Sequence, residues 1–423
     1  MKKVLIVTYY WPPAGGSGVQ RWLYFTKYLR EFGIEPIIYA PRNPSYPVID
    51  ESLNEEIPEK LNIIKRPIRE PNQLTGLFLK KQTKNLSSGI IEAPKNQSWL
   101  QKSMLYIRGN FFIPDARVLW VKPSVKYLHK FLGQEEIKTV ITTGPPHSMH
   151  LIGLGLKKRL NIKWIADFRD PWTEIHYHNK LPLTKKSKRK HKELEKKVLE
   201  NSDSILTTSL TTKNNFKVKT STPVDFLPNG FTDFQKKNFA LDKKFTLSYI
   251  GRLYDGNYLL VILQALSELT EENKDFKSHF QFNYVGDNES IIQRLFKKFH
   301  LGKFLNCTGQ VSHSQSIDHQ RSSQVLLLLL SEDFTSEIIP GKLFEYLNAK
   351  RPIIAIGPKN WDVKEILDET QGGSCFNYKD KEGLKKQIKT HFEAYQNQDL
   401  HAHSKNLEQY HRRELTGKLA GLI

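Results

Sequence analysis

Cysteine is close to absent from this chain: Cys307 and Cys375 are its two thiols among 423 residues. They stand in separate strand-like contexts with no metal spacing. That excludes a disulfide framework and a thiolate metal cage, and makes a reduced, cytoplasmic setting the simple expectation. Long apolar runs are lacking too, since no window approaches the roughly 18 to 20 residues of a membrane helix. Met1-Lys2-Lys3 leads straight into Val4-Leu5-Ile6-Val7, which is too short for the apolar region of an export signal and reads as a strand. Histidines do not cluster and no carboxylate ladder occurs, so no obligatory metal is expected. Negative charge is the scarce sign: 44 Asp and Glu stand against 64 Lys and Arg, a net charge of +20.

That excess favours anionic partners, whether phosphorylated ligands, an anionic membrane surface or nucleic acid. Residues 185–197 are the densest basic run, KKSKRKHKELEKK, with eight Lys or Arg among thirteen residues. No aromatic interleaves with them, as a single-strand binding platform requires, so nucleic acid is not an expected partner. The run reads as a solvated helix face or as a contact for anionic phospholipid, worth about 1 kcal/mol per basic residue near the surface.

What is present is alternation. A length of 423 residues suits two domains, and 39% hydrophobic with 26% charged residues is the balance of a globular protein. Strand patterns at residues 3–8, 35–39, 61–66, 138–143, 163–168 and 204–208 are separated by helical ones at 19–32, 123–133, 147–160 and 186–200. A second series has strands at 245–250, 280–285, 304–307, 325–330 and 352–356. Its helices fall at 258–269, 290–299, 314–321 and 341–347. This pattern predicts βαβ units around parallel sheets, an α/β fold with two doubly wound halves joined between residues 220 and 244. Residues 70–121 break the alternation and read as a long irregular stretch. It carries Trp99, Met104, Leu105, Tyr106, Phe111 and Phe112, which suit either a satellite hydrophobic cluster or the docking of a lipid-linked acceptor or membrane. The periodicity of Leu407, Tyr410, Leu415, Leu419 and Leu422 predicts a C-terminal helix that packs back on the first domain.

Parallel sheets bind ligands beyond the carboxyl ends of their strands, and the polar motifs fall there. After the first strand come Pro12-Pro13-Ala14-Gly15-Gly16-Ser17-Gly18, where glycine lets a backbone approach a phosphate and a helix start favours negative charge. The spacing is not the dinucleotide fingerprint, and no acidic residue closes the next strand, so hydride transfer is disfavoured. Two other strand ends carry Thr142-Thr143-Gly144-Pro145-Pro146-His147 and Asp167-Phe168-Arg169-Asp170-Pro171-Trp172. His147 is a candidate for sugar contact or proton transfer. Asp167 and Asp170 are candidates for orienting a hydroxyl, with Arg169 paired to one of them. In the second half, Gly251-Arg252 can clamp phosphate through a forked guanidinium, and Gly286 lets a base or sugar pack near the backbone. The most informative segment is residues 331–355. There Glu337 and Glu345 stand eight positions apart around Gly341-Lys342-Leu343, a helix start offering N–H groups and an ammonium to a diphosphate, with a carboxylate one turn on for a vicinal diol.

These segments (WPPAGGSGVQR, TTGPPHSMH, DFRDPW, LPNGF, YIGRLYDGN, NYVGD and IPGKLFEYLNAKRPIIA) resemble, in order and over nearly the whole chain, the retaining glycosyltransferases of family 4. The resemblance implies the GT-B fold: two Rossmann-like domains facing across a cleft. They are expected at residues 1–222 with 406–423 packing back, for the acceptor, and at 223–405, for the nucleotide sugar. It implies transfer of a sugar from a UDP- or GDP-linked donor to a lipid-linked or glycan hydroxyl with retention, in envelope or surface polysaccharide synthesis, in the cytoplasm or at the inner face of the plasma membrane. In that likeness Gly15 and Gly16 meet the diphosphate, Arg252 and Lys342 stabilise it, Glu345 binds the ribose, and Glu337 and His147 face the sugar. Two departures stand out. Ile338-Ile339-Pro340 follows Glu337 where the family has Gly-Phe-Gly, and Asn257 stands where a lysine is common. A sugar-nucleotide epimerase on the same scaffold, or a non-catalytic binder of membranes and polyanions, are the alternative readings.

Overall fold

The computed structural model describes residues 1–71, 99–175, 181–234, 239–253 and 256–423. Within them the chain divides into two units, Met1–Asn229 with Arg412–Ile423, and Gly230–His411.

The first unit is built on a seven-stranded parallel sheet: β1 (Lys2–Val7), β2 (Ile34–Pro41), β3 (Asn62–Arg66), β4 (Thr139–Gly144), β5 (Lys163–Phe168), β6 (Ser204–Thr207) and β7 (Val224–Phe226), in the order β3-β2-β1-β4-β5-β6-β7. Successive residues of β1 serve opposite faces, as the strand pleat requires. Val4 and Ile6 pack with Trp22, Leu23 and Leu29 of α1 (Ser17–Leu29) and with Leu415 and Leu419 of the C-terminal helix, Arg412–Leu422. Leu5 and Val7 pack with Leu128 and Leu132 of the helix Val121–Gln134 and Met149 and Ile152 of the helix Ser148–Lys157. Both faces are covered, which explains why the strand reads as a continuous apolar run.

The second unit repeats the plan with six strands, β8 (Phe245–Ile250), β9 (Phe280–Val285), β10 (Leu305–Gly309), β11 (Val325–Leu329), β12 (Ile353–Gly357) and β13 (Gly373–Asn377). Their order is β10-β9-β8-β11-β12-β13, again all parallel. Val325, Leu327 and Leu329 of β11 enter one core with the helices Leu260–Glu272 and Lys381–Gln396. Leu326 and Leu328 enter the other, with the helices Lys342–Ala349 and Asp362–Thr370. In each sheet the strand order reverses once, between β1 and β4 and between β8 and β11. In open parallel sheets such switch points, at the strands' carboxyl ends, are where ligands bind.

The structure corrects the sequence reading in three places. Residues 72–98 of the expected irregular stretch lie outside the described residues, but Trp99–Phe111 is a helix, turning Leu105 inward while Trp99, Tyr106, Ile107 and Phe111 stay exposed. The domain boundary falls at 229/230 rather than 222/223, because Val224–Phe226 pairs with β6 as an edge strand too short to show alternation. Residues 406–411 belong to the second unit: Tyr410 packs on Phe344, and its carbonyl accepts from the Phe231 amide. Only the helix from Arg412 returns to the first unit, where Arg413 pairs with Glu31 and Arg412 lies over Tyr24.

One ion pair fastens the first unit from within. Asp167, at the end of β5, accepts from Arg21 Nη2 (2.9 Å), Arg21 Nε (3.3 Å), Trp22 Nε1 (2.9 Å) and Thr143 Oγ1 (2.8 Å). Arg21 also donates to the Pro228 carbonyl, and both charged side chains are wholly buried. Removing one partner leaves an uncompensated buried charge. Asp167→Ala is expected to cost about 3–5 kcal/mol in chemical denaturation, whereas the double variant Arg21→Met, Asp167→Leu recovers most of the loss.

Candidate functional site

Polar groups converge at the switch point of the second unit. β8 ends at Ile250, whose carbonyl accepts from Lys342 Nζ at 2.9 Å and lies 3.4 Å from the Tyr346 hydroxyl. Lys342 and Tyr346 belong to the helix after β11, which we call α2 (Lys342–Ala349), so the bond joins the two strands' exits. Gly251 makes room for it. Its φ is +140°, and a Cβ there would stand 2.2 Å from Lys342 Nζ. Gly286, after β9, lies against the Gly251 carbonyl, where a Cβ would come within 2.3 Å.

Lys342 Nζ also sits over the Tyr249 ring, 4.8 Å from its centroid. Burial pushes its pKa down to about 8, opposed by the Glu345 carboxylate one turn along α2. The ammonium is therefore still protonated at neutral pH. Among the described residues, the Leu343 amide is spent on the Pro340 carbonyl and the Phe344 amide on Gly341, which leaves Gly341 and Lys342 as the amide donors of this turn. Leu343 is thereby corrected: its side chain is fully buried in the core and its N–H is used, so it contributes packing rather than a ligand contact.

Glu345 points its carboxylate toward α3 (we so label the helix His313–Ser322 packed beside α2). Oε2 accepts from Gln320 Nε2 at 3.0 Å, and Oε1 lies 3.9 Å from His313 Nε2. Arg252, expected to clamp phosphate, is exposed and donates to Asp287 Oδ2 at 2.8 Å, so an anion would share it with that carboxylate. Residues 254 and 255 of this motif lie outside the described residues. Glu337 is half-buried in the loop between β11 and α2. That loop is fastened by Trp361 Nε1 to the Ile338 carbonyl (2.6 Å) and by the Asp362 amide to Ser336 (3.1 Å). Sequence reasoning overlooked Gln320, Asp287 and Trp361. Only Asp287 carried a signal, since it follows Gly286 directly.

At the first unit's switch point, Gly15 donates its amide to Val48, and Gly16, with φ +100°, caps α1. Arg169 lies against the first turn of that helix. A Cβ on Gly18 would meet Arg169 Nη1 at 1.6 Å, and the guanidinium is held by the Gly144 and Pro145 carbonyls. Of the two aspartates expected to pair with it, Asp167 is committed to Arg21. His147, expected to contact a sugar or pass a proton, stands at the start of the helix Ser148–Lys157; its ring is 6% exposed, stacked on Trp172 (4.9 Å, 3°) and beside Phe168 and His150. His150 donates or accepts with Thr142 Oγ1 at 2.9 Å, and burial lowers its pKa to about 3, so it is neutral. Asp170 is half-buried just beyond β5. Asp115 caps the following helix through the Ser148 amide and hydroxyl, both at 2.8 Å. No group of three metal-ligating side chains occurs among the described residues, and no helix there is long and apolar enough to cross a membrane.

Comparison with known proteins bears on this arrangement. Residues 244–393, roughly a third of the chain and most of the second unit, match the family described as Glycosyl transferases group 1. No curated protein sequence matches the chain. The Anabaena protein Alr3699/HepE, solved in complex with UDP-glucose, is similar in structure at 11% identity, covering 100% of this chain and 99% of that one with a TM-score of 0.60. WaaG, described as a glycosyltransferase involved in lipopolysaccharide biosynthesis, is 12% identical over 99% of both chains with a TM-score of 0.56. A putative UDP-N-acetylglucosamine 2-epimerase from Listeria monocytogenes is 11% identical over 99% of this chain and 95% of that one, at 0.55. Identities this low speak to fold alone. The two parallel-sheet Rossmann-like domains of the GT-B class are the fold that this chain has.

The lowered pKa of Lys342 makes anion binding depend on pH. Affinity for inorganic pyrophosphate, measured by calorimetry, is expected to hold below pH 8 and to fall as pH rises through about 8. In Lys342→Met the affinity should be weaker at neutral pH and this step absent.

Proposed function

We propose that this protein is a glycosyltransferase that moves a sugar from a nucleotide-diphosphate donor to an acceptor hydroxyl. The observation that carries the reading is the pairing of Lys342, on the β8 exit, with Glu345 one turn along the same helix, inside the segment that matches the glycosyltransferase family. The second unit is assigned the donor and the first unit the acceptor. Leaving-group chemistry sets the roles. As the bond from sugar to phosphate breaks, negative charge grows on the diphosphate. Lys342, Arg252 and the Gly341 and Lys342 amides meet that charge with positions already fixed, the arrangement that stabilises a transition state most. Glu345 accepts from the ribose hydroxyls, and Glu337 is the group offered to the sugar. The departing phosphate oxygen takes the proton of the incoming hydroxyl on the same face. Anomeric configuration is thereby kept, with no enzymic nucleophile and no metal in the assigned roles.

The test is a panel of UDP- and GDP-linked sugars screened for thermal stabilisation, followed by turnover with the stabilising donor. Lys342→Ala is expected to lower kcat by about a hundredfold or more, while Glu345→Ala chiefly raises the donor KM. Turnover untouched in both variants would remove the assignment. The epimerase reading is favoured by the fold shared with the Listeria protein. It requires a changed sugar nucleotide as product in the absence of any acceptor, which product analysis detects.

The reading of acceptor and location is based on the first unit's surface. The helix Trp99–Phe111 exposes Trp99, Tyr106, Ile107 and Phe111 together with Lys102. Its end is stitched to residues 181–184: Asn110 donates to the Pro182 carbonyl (2.9 Å) and accepts from the Thr184 amide (2.8 Å). Thr184 caps the helix Lys185–Asn201, whose eight Lys and Arg over residues 185–197 are all exposed. That basic start is unfavourable in isolation. Lysines crowd the positive end of the helix dipole, and Lys185–Arg189, Lys186–Lys190 and Lys188–Lys192 are like-charge pairs at i, i+4. Aromatic side chains beside such a cluster suit an anionic bilayer. We assign this face to the inner leaflet of the plasma membrane and the acceptor to a lipid-linked envelope saccharide. Vesicles with anionic phospholipid should sediment the protein in a salt-sensitive way and neutral vesicles should not, and Trp99→Ser with Phe111→Ser should weaken the binding. Equal binding to neutral vesicles, or none to anionic ones, would refute the assignment.

A further inference from the structure

We infer that Gln320 is the positioning residue for Glu345, fixing one carboxylate oxygen so that the other is free to read a ligand hydroxyl; the inference rests on the donor-site reading above. Gln320 lies on α3, 1% exposed, and its amide nitrogen donates to Glu345 Oε2 at 3.0 Å while standing 3.3 Å from Ser316 Oγ. Its own oxygen, Oε1, is buried without a hydrogen-bond partner among the described residues. An unfilled buried acceptor costs stability, and an apolar residue of the same shape would remove that cost. The glutamine is therefore poorly explained by packing and well explained by what its nitrogen holds. Turning the amide over would set its oxygen against a carboxylate oxygen, so the charge of Glu345 dictates the orientation.

The neighbours show why a carboxylate here needs holding. Lys342 precedes it by three residues on the same helix, and His313 Nε2 stands 3.9 Å from Oε1. The Lys342 ammonium attracts the carboxylate away from the geometry a diol requires. A donor hydrogen bond from a rigid, buried side chain on a second helix pins Oε2 and keeps the carboxylate from collapsing onto Lys342. That ammonium then stays on the Ile250 carbonyl, available to phosphate.

The experiment compares the full-length protein with Gln320→Leu, Gln320→Glu and Glu345→Ala, measuring calorimetric affinities for UDP, GDP and inorganic pyrophosphate. Gln320→Leu preserves shape and removes the donor. It is expected to weaken the nucleoside diphosphate by about tenfold, as for a lost hydrogen bond to a charged group. Pyrophosphate, which has no ribose, should bind as before. Gln320→Glu sets two carboxylates together, so its affinity for the nucleotide should be retained at acid pH, where they share a proton, and lost as pH rises. A parallel loss of pyrophosphate in Gln320→Leu would mean a merely structural role and overturn the inference. So would natural nucleotide affinity in Gln320→Leu when Glu345→Ala has lost it. If Glu345→Ala itself binds the nucleotide normally, or the natural protein binds neither UDP nor GDP, the donor-site reading falls and the inference with it.

Discussion

An ammonium seated on a strand-end carbonyl sets the terms for the second unit's ligand face. Lys342 leaves the helix that follows β11, yet its nitrogen is bonded to Ile250, the last residue of β8. The two strands neighbour each other in the sheet and are separated by more than seventy residues of sequence, so the bond closes the switch point instead of stabilising one segment. Its geometry imposes requirements nearby. Gly251 must lack a side chain, Gly286 must approach the Gly251 carbonyl, and Tyr346 must share the Ile250 peptide. Enclosure lowers the ammonium's pKa without discharging it at neutral pH, which keeps a cation in place ready for an anion.

The first unit solves a similar problem with a buried salt link. Asp167 would be untenable at a sheet's end without Arg21, Trp22 and Thr143, and Arg21 would be untenable without Asp167 and the Pro228 carbonyl. Two residues on, Arg169 is half-buried, its guanidinium braced by carbonyls against the start of α1. A charge that looks catalytic in a motif can be structural.

Legibility in the sequence followed the physics of each element. Strands buried on both faces, such as Val325–Leu329, declare themselves as apolar runs. Edge strands do not: Val224–Phe226 has three residues, and Gly373–Asn377 is half-exposed and opens with glycine. That Lys342 and Glu345 stand in the first turn of a helix after a strand was legible, because an apolar run, turn residues and then a helical pattern mark that junction. Leu343 was misjudged because chain adjacency hides the 3.6-residue period that turns Leu343, Phe344 and Leu347 into the core. The surroundings of His147 are hidden for a related reason. A histidine at a loop end looks available, but only tertiary packing shows Trp172 lying flat upon it. Gln320 left no trace at all, since its partner is 25 residues away on another helix.

The sign pattern on the helix Lys342–Ala349 is what distinguishes the nucleotide site we propose from a general polyanion surface. A patch meant only for phosphate or lipid headgroups gains nothing from a carboxylate, which repels the same ligand. Here Glu345 is three residues from Lys342, about 4.5 Å along the helix axis, and a buried side chain is spent on holding it. Such an arrangement is costly unless the ligand is itself divided, anionic at one end and rich in hydroxyl donors a few ångströms away. A nucleoside diphosphate has that division, with ribose hydroxyls on one side of its phosphates. A sugar carried on the far phosphate would then lie beyond Lys342, toward the loop that bears Glu337. That loop is anchored by Trp361 and Asp362, from the segment after β12 and not from its own chain neighbours. The Ile338-Ile339-Pro340 sequence in place of glycines gives it apolar side chains that pack on the core. The same loop thus acquires a fixed shape by packing where a glycine-rich one would owe its shape to backbone turns, and selectivity for the transferred sugar is expected to reside in that packed loop.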